Sequence, residues 1–289
     1  MSPTTLAHAI AAGVLLGCFY ALMALGFSMI RSVTRALNLT HGDLIILGGY
    51  LGYWLWIGSG LHPLFLVPVA AAALLPLALG WQWLFQRLRE PKELSSLVLT
   101  FGLSLFLQNG MLALWPGEYR LIASEALTAS VSLGGLTLNR GRLLVAGAAL
   151  AAVGSLHVAL GHSRWGRAVR ATSVDREAAA LLGINVDQAT QSTFLLAFAL
   201  SGGVGVLFAT LHYLSPSGGA ELTLLAIVLT IWSGAGHTRG VLGAGILLGV
   251  IETLTLLWSG PRWRELVVAL MLLGTLLARA GGLVPRRRR

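Results

Sequence analysis

At 289 residues, 56% of them hydrophobic and only 11% charged, the chain lacks the roughly 25% charged residues that a soluble domain needs to cover its surface. Mean hydropathy is +0.78, and several apolar runs reach the ~20 residues that cross a bilayer as a helix, so a large soluble helical domain is excluded and an integral membrane protein is expected. The net charge of +9 comes from arginine clusters between the apolar runs, with Lys92 the only lysine; this reads as a topology signal and contact with anionic lipid, not as a nucleic-acid site.

In chain order, crossings are expected near 8–30, 39–57, 64–86, 95–115, 142–160, 190–213, 222–235, 240–258 and 265–280. The expected fold is therefore all-α: a polytopic transmembrane bundle of about eight or nine spanning helices, forming a single domain over 1–289. No Lys or Arg precedes the first apolar run, so that run is expected to be retained as a helix and not removed as a signal peptide. The segment 222–235 is short for a full crossing and is also compatible with a broken or re-entrant piece packed inside protein.

Charge orients the bundle. With the loops at 31–38, 87–94, 161–189 and 236–239 and the C-terminus on one side, 15 of the 20 basic residues fall there and 5 fall opposite. The excess marks the cytoplasmic face, which places the N-terminus outside and the C-terminus inside.

Glycine is abundant, 36 in all, and small residues recur one helical turn apart at Gly13 and Gly17, Ser201 and Gly205, and Gly245 and Gly249. Such pairs let helix backbones approach closely in lipid. The segment "AGVLLG" at 12–17 is echoed by "AGILLG" at 244–249, compatible with two related halves or with chance in apolar sequence.

Several chemistries are excluded within the chain. A phosphate-cradling G-x-x-x-x-G-K-[ST] loop needs a lysine, and Lys92 lies in "REPKEL" with no glycine near it. The histidines at 8, 41, 62, 157, 162, 212 and 237 form no close-spaced ligand set, and the lone Cys18 supports neither a disulfide framework nor a cysteine metal site. His157 and His212 read as interfacial. Ser104 in "FGLSLF" is the one candidate nucleophile for an intramembrane serine protease; a packing or hydrogen-bonding serine is the simpler reading.

The most informative loop is 161–189. Thr172 with Asp175 is expected to cap a short helix, Glu177 suits its first turn, and Gly183 is placed to end it with a positive φ. Val174, Ala178, Leu181 and Leu182 fall on one apolar face while Arg176 and Glu177 point elsewhere. A helix this short and polar cannot cross. It either lies at the membrane surface or inserts as a knob into a groove on a cytoplasmic partner.

Glu177-Ala178-Ala179 followed by Gly183 resembles the E-A-A-x-x-x-G loop of ABC-importer permeases, in which a coupling helix docks on an ATPase subunit. "GRAVRA" at 166–171, "LLGIN" at 181–185, "YALMALGFSMI" at 20–30 and "NLTHGD" at 38–43 resemble the permease family of high-affinity branched-chain amino acid transport, whose N-x-x-H-G element matches Asn38, His41 and Gly42. The resemblance runs over most of the chain and is strongest at 12–50 and 164–205. Two departures stand out. "WSGAGHTRGVLGA" at 232–244 replaces the family's Gly-Gly-x-Gly-Ser stretch, which leaves the solute open between branched-chain amino acids, urea, short amides and similar small molecules; the I-x-L-P ending of the longer loop motif is also absent. The resemblance implies a permease subunit and not an enzyme, with no cofactor in this chain. It also implies a second paralogous permease, two cytoplasmic ATPases carrying ATP and Mg, a periplasmic solute-binding protein and an inner-membrane location.

For the solute pathway, ionisable and polar groups set in apolar runs are the default candidates: Asn38, His41 and Asp43 at the start of the second crossing, and Glu252 in "LLGVIETLTLLW". The first group is equally compatible with a satisfied polar turn, and Glu252 with a hydrogen-bonded helix contact. Two function classes follow. One is an ATP-coupled importer subunit; the other is a self-contained secondary transporter using Glu252 as its ion site, and the coupling-like helix favours the first.

Overall fold

The computed structural model describes residues 3–88, 92–117, 119–133 and 136–263, with scattered positions between 266 and 277. Twelve helices follow in order: α1 (Pro3–Thr34), α2 (His41–Ser59), α3 (Pro63–Ala73), α4 (Leu75–Gln86), α5 (Lys92–Leu114), α6 (Glu125–Thr128), α7 (Arg140–His162), α8 (Arg164–Val174), α9 (Arg176–Leu181), α10 (Val186–Leu211), α11 (Gly219–Ser233) and α12 (Thr238–Ser259). Among the described residues six stretches are long and apolar enough to cross a membrane: α1, α3 with α4, α5, α7, α10 and α12. Half of the positions in the crossing expected at 265–280 lie outside the described residues.

One expectation needs correction. The fold is not wholly helical, since β1 (Ser130–Leu133) and β2 (Leu136–Asn139) form an antiparallel hairpin in the connection that precedes α7. The alternating "SVSL" and "LTLN" fit a half-exposed ribbon, and Asn139 then caps α7 by accepting from the Arg142 N–H at 3.1 Å. The crossing expected at 64–86 is present as α3 and α4 together, with a break at Leu74 because Pro76 in the first turn of α4 has no N–H to continue the ladder of α3.

α1 and α12 pack antiparallel along glycine. A Cβ on Gly13 would lie 2.7 Å from the Val250 Cα, and one on Gly245 would lie 2.5 Å from the Gly17 carbonyl oxygen. The two echoed segments therefore meet each other, small residue on small residue, and backbone contact supplies the packing that bulky side chains supply elsewhere. α10 is gripped in the same way by α2 and α3: a Cβ on Gly48 would lie 2.7 Å from the Gly202 Cα, and one on Gly202 would lie 2.5 Å from the Ala70 carbonyl oxygen.

The contacts repeat under an exchange of parts. α1 packs on α12 and α11, α10 packs on α3–α4 and α2, and α1 touches α10 as α2 touches α11. Exchanging α1 with α10, α2 with α11 and α3–α4 with α12 regenerates the same set of neighbours. In each set a long helix is followed by a non-helical stretch, 35–40 or 212–218, and then by a helix that starts inside the bundle.

The depth of those starts follows from their neighbours. His41, the first residue of α2, bonds the Met23 carbonyl and lies against Gly26, which also faces Ala197 of α10. Met23 is eleven residues from the end of α1 and Ala197 eleven from the start of α10, so α2 begins ~16 Å in from that end of the bundle. α11 begins at the same level, because Gly42 and Gly219 are in backbone contact. From there α2 runs alongside α10, while α11 runs back toward Ser28 and Ser32 near the end of α1, where the Ser28 hydroxyl accepts from the Gly236 N–H at 3.0 Å. The short segment at 222–235 is thus the helical part of an element broken at 212–218.

Candidate functional site

Where α2 and α11 meet tip to tip, a polar centre forms. The N-terminal ends of α2 and α11 converge there, and Asp43 in the first turn of α2 places its carboxylate against Gly219 at the start of α11, where both helix dipoles favour negative charge. The carboxylate accepts from the Ser104 hydroxyl at 2.5 Å and from the Gln108 amide at 3.1 Å, both on α5. Thr223 of α11 accepts from the Gly42 N–H at 2.8 Å and donates to the Leu39 and Gly219 carbonyls. His41 contacts the Met23 carbonyl through Nε2 at 2.8 Å; a carbonyl cannot donate, so that nitrogen carries the proton.

The polar turn before α2 completes the centre. The Asn38 side-chain oxygen accepts from the Thr40 N–H and hydroxyl, and the Trp81 indole donates to the Thr40 oxygen at 3.0 Å. Asn38, Thr40, His41 and Asp43 are all buried. Asn38 Nδ2 and His41 Nδ1 have no hydrogen-bond partner among the described residues. The structure therefore brings three of the four pathway candidates together and leaves the fourth elsewhere. Glu252 is buried between α12 and α1, accepting from the Tyr20 hydroxyl at 2.7 Å.

Ser104 serves as a hydrogen-bond donor to an acid, and the contacts of His41 are made with Met23 and Phe27. Sequence reading missed Gln108, Thr223, Trp81 and Thr40. A signal existed on α5, where Ser96, Thr100, Ser104 and Gln108 recur every four residues along a largely apolar helix and so share one face. Thr100 on that face donates to the Leu37 carbonyl at 3.3 Å.

The loop after α7 forms the second candidate region. Ser163 caps α8 by accepting from the Gly166 N–H, and α8 continues to Val174, which overturns the expected cap at Thr172: that residue is buried inside the helix. Asp175 is the cap of α9 instead, accepting from the Glu177 and Ala178 N–H groups at 2.9 and 3.0 Å. At the other end Gly183 takes φ +80°, the Gly183 N–H bonds the Ala180 carbonyl and the Ile184 N–H bonds the Ala179 carbonyl. These paired bonds are the Schellman closure expected of a glycine stop. Ala179 packs inward at 2% exposure, whereas Leu181 and Leu182 stand out at 89% and 81%, with Val174 and Ala178 also exposed. Arg176 turns back to Asp187 at 2.9 Å and pins α9 to the start of α10.

A helical membrane protein with glycine-packed long helices, two interrupted helices meeting at a buried polar centre, and a short capped helix carrying exposed leucines has the parts of a permease. Residues 9–276 match the family described as branched-chain amino acid transport system / permease component, and the chain belongs to that family. It is 28% identical to the high-affinity branched-chain amino acid transport system permease protein LivH of Salmonella typhimurium, over 95% of this chain and 94% of the relative. The corresponding LivH of Escherichia coli K12 is 27% identical and BraD of Pseudomonas aeruginosa 26% identical, each with the same two coverages. No solved structure matches.

Proposed function

We propose that this chain is one permease subunit of an ATP-driven importer of branched-chain amino acids or solutes of similar size, in the inner membrane, and that α9 is its docking element for a cytoplasmic ATPase. The observation that carries the docking role is the pairing of two nearly fully exposed leucines with a helix capped at both ends, because such a rigid apolar knob fits a groove on a partner. The membership of the family and the relatives' names support the importer role. The working assembly then contains a second permease, two ATPases that hold ATP and Mg, and a periplasmic binding protein that presents the solute. The loop 161–189 and the C-terminus face the cytoplasm, the N-terminus faces outward, and eight or nine helical segments cross, with α2 and α11 as interrupted crossings. The whole chain acts as one domain.

The pathway role is assigned to Asn38, His41, Asp43 and Glu252. All four are buried in this structure, so lining the pathway requires a different conformation. The docking role is tested by Ala178→Asp. The charge enters the apolar contact face, so affinity for the ATPase should fall by a few kcal/mol if the groove is desolvated, while membrane insertion is unchanged. Copurification of the ATPase with the variant at wild-type yield would overturn the docking role.

A further inference from the structure

Arg35 stands where a glycine belongs. α1 ends in a left-handed closure in which the Arg35 N–H bonds the Arg31 carbonyl at 2.9 Å, and Arg35 itself has φ +57°, the one non-glycine residue with positive φ among the described residues. L side chains avoid that conformation and glycine does not. Among the described residues the exposed guanidinium makes one hydrogen bond: Nη2 donates to the Val174 carbonyl at 3.0 Å. Val174 is the last residue of α8, and Asp175 next to it is the cap of α9. Arg35 therefore grips the joint between those two helices from across the loop.

The stretch that follows Arg35 is tied residue by residue to other helices. The Leu37 carbonyl accepts from Thr100 of α5, Thr40 from Trp81 of α4, and Gly42 donates to Thr223 of α11, while His41 bonds α1 and Asp43 binds α5. Ala36, Asn38 and Thr40 are buried, so this stretch has little room to absorb a movement locally. Beside the direct packing of α8 on α1 and α10, the Arg35–Val174 hydrogen bond connects the α8–α9 joint to a chain of anchored residues that ends at the tips of α2 and α11.

We infer that Arg35 is a positioning residue that links the α8–α9 joint to the polar centre, carrying the movement of the docked ATPase to the interrupted helices. This rests on the docking role of α9. The covalent route from α9 into α10 remains available, so loss of Arg35 reduces coupling without abolishing assembly.

The test uses the complete reconstituted transporter with Arg35→Gly, Arg35→Lys and the wild type, and as solute whichever of leucine, isoleucine, valine, urea or acetamide the wild type carries. Glycine removes the guanidinium and relieves the backbone, so thermal stability should be kept or raised. Solute carried per ATP hydrolysed should fall severalfold, because hydrolysis then proceeds with less of the movement reaching the interrupted helices. ATPase association should match the wild type. Arg35→Lys, whose ammonium can donate to the same carbonyl, should recover most of the loss. Wild-type coupling in Arg35→Gly, loss of ATPase association in that variant, or no recovery with lysine would each overturn the link. Ala178→Asp run alongside separates the two ideas: if it retains association and coupling, the docking role of α9 fails, whatever Arg35→Gly does.

Discussion

Asp43 is an acid in the interior whose surroundings were built for it. A serine hydroxyl and a glutamine amide donate to one carboxylate that sits between two helix starts, and the Ser104 hydroxyl would be left short of its acceptor without it. Asp43→Ala should destabilise the protein by about 2–4 kcal/mol, and Ser104→Ala by about 1 kcal/mol, as read from thermal unfolding in detergent. The two losses should not add, since both report on one contact, and strict additivity would show that the contact contributes nothing. Glu252 allows a cleaner functional test, because glutamine keeps an oxygen for the Tyr20 hydroxyl. If Glu252 lines the pathway, Glu252→Gln should slow uptake while the ATPase still copurifies; wild-type uptake rates would return it to packing between α1 and α12.

At the level of elements, the difference between what was legible and what was not has a physical origin. The long helices α1, α7, α10 and α12 announce themselves by run length, and α9 by its cap, its acidic first turn and its glycine stop. The cap itself shifted from Thr172 to Asp175, because α8 had a stronger start at Ser163 than the sequence pattern suggested and ran through the expected boundary. The buried starts of α2 and α11 were hidden. Asn38, His41 and Asp43 stand out as polar groups in an apolar run and 222–235 as a short segment, but 31–38 reads as a loop and 190–213 as one crossing, and helices that are apolar all round carry no periodic signal for which side, or which depth, they occupy. The echo at 12–17 and 244–249 was visible, but its meaning was not: the matching segments are neighbours in one crossing, whereas the repeated contact pattern relates α1 to α10. For α9 the stop is the testable part. Gly183→Val forces a β-branched residue to φ +80°, with a penalty of about 1–2 kcal/mol, and should weaken ATPase capture while leaving the unfolding temperature of the bundle unchanged.

For the molecule as a whole, the sidedness rests on the distribution of arginine. A reporter fused after Arg289 should read as cytoplasmic and one inserted in the 116–140 connection as external; the reverse result would detach α9 from any ATPase.

The exchange of neighbours between the two sets of helices also governs how the chain can be made. α2 and α3 find their packing surface on α10, and α11 and α12 find theirs on α1, so neither half holds its own core. A chain emerging from the ribosome must therefore keep α2 and α3 waiting, unpacked in lipid, until α10 has been synthesised, and the glycine face of α1 until α12 follows. Cutting the gene within the Ser130–Asn139 hairpin should give two fragments that are degraded when expressed singly and that yield a stable, transport-competent complex when expressed together. In that sense the protein resembles an interleaved dimer of two polypeptides joined by a linker, and quality control in the cell has nothing complete to inspect before translation has passed Leu211.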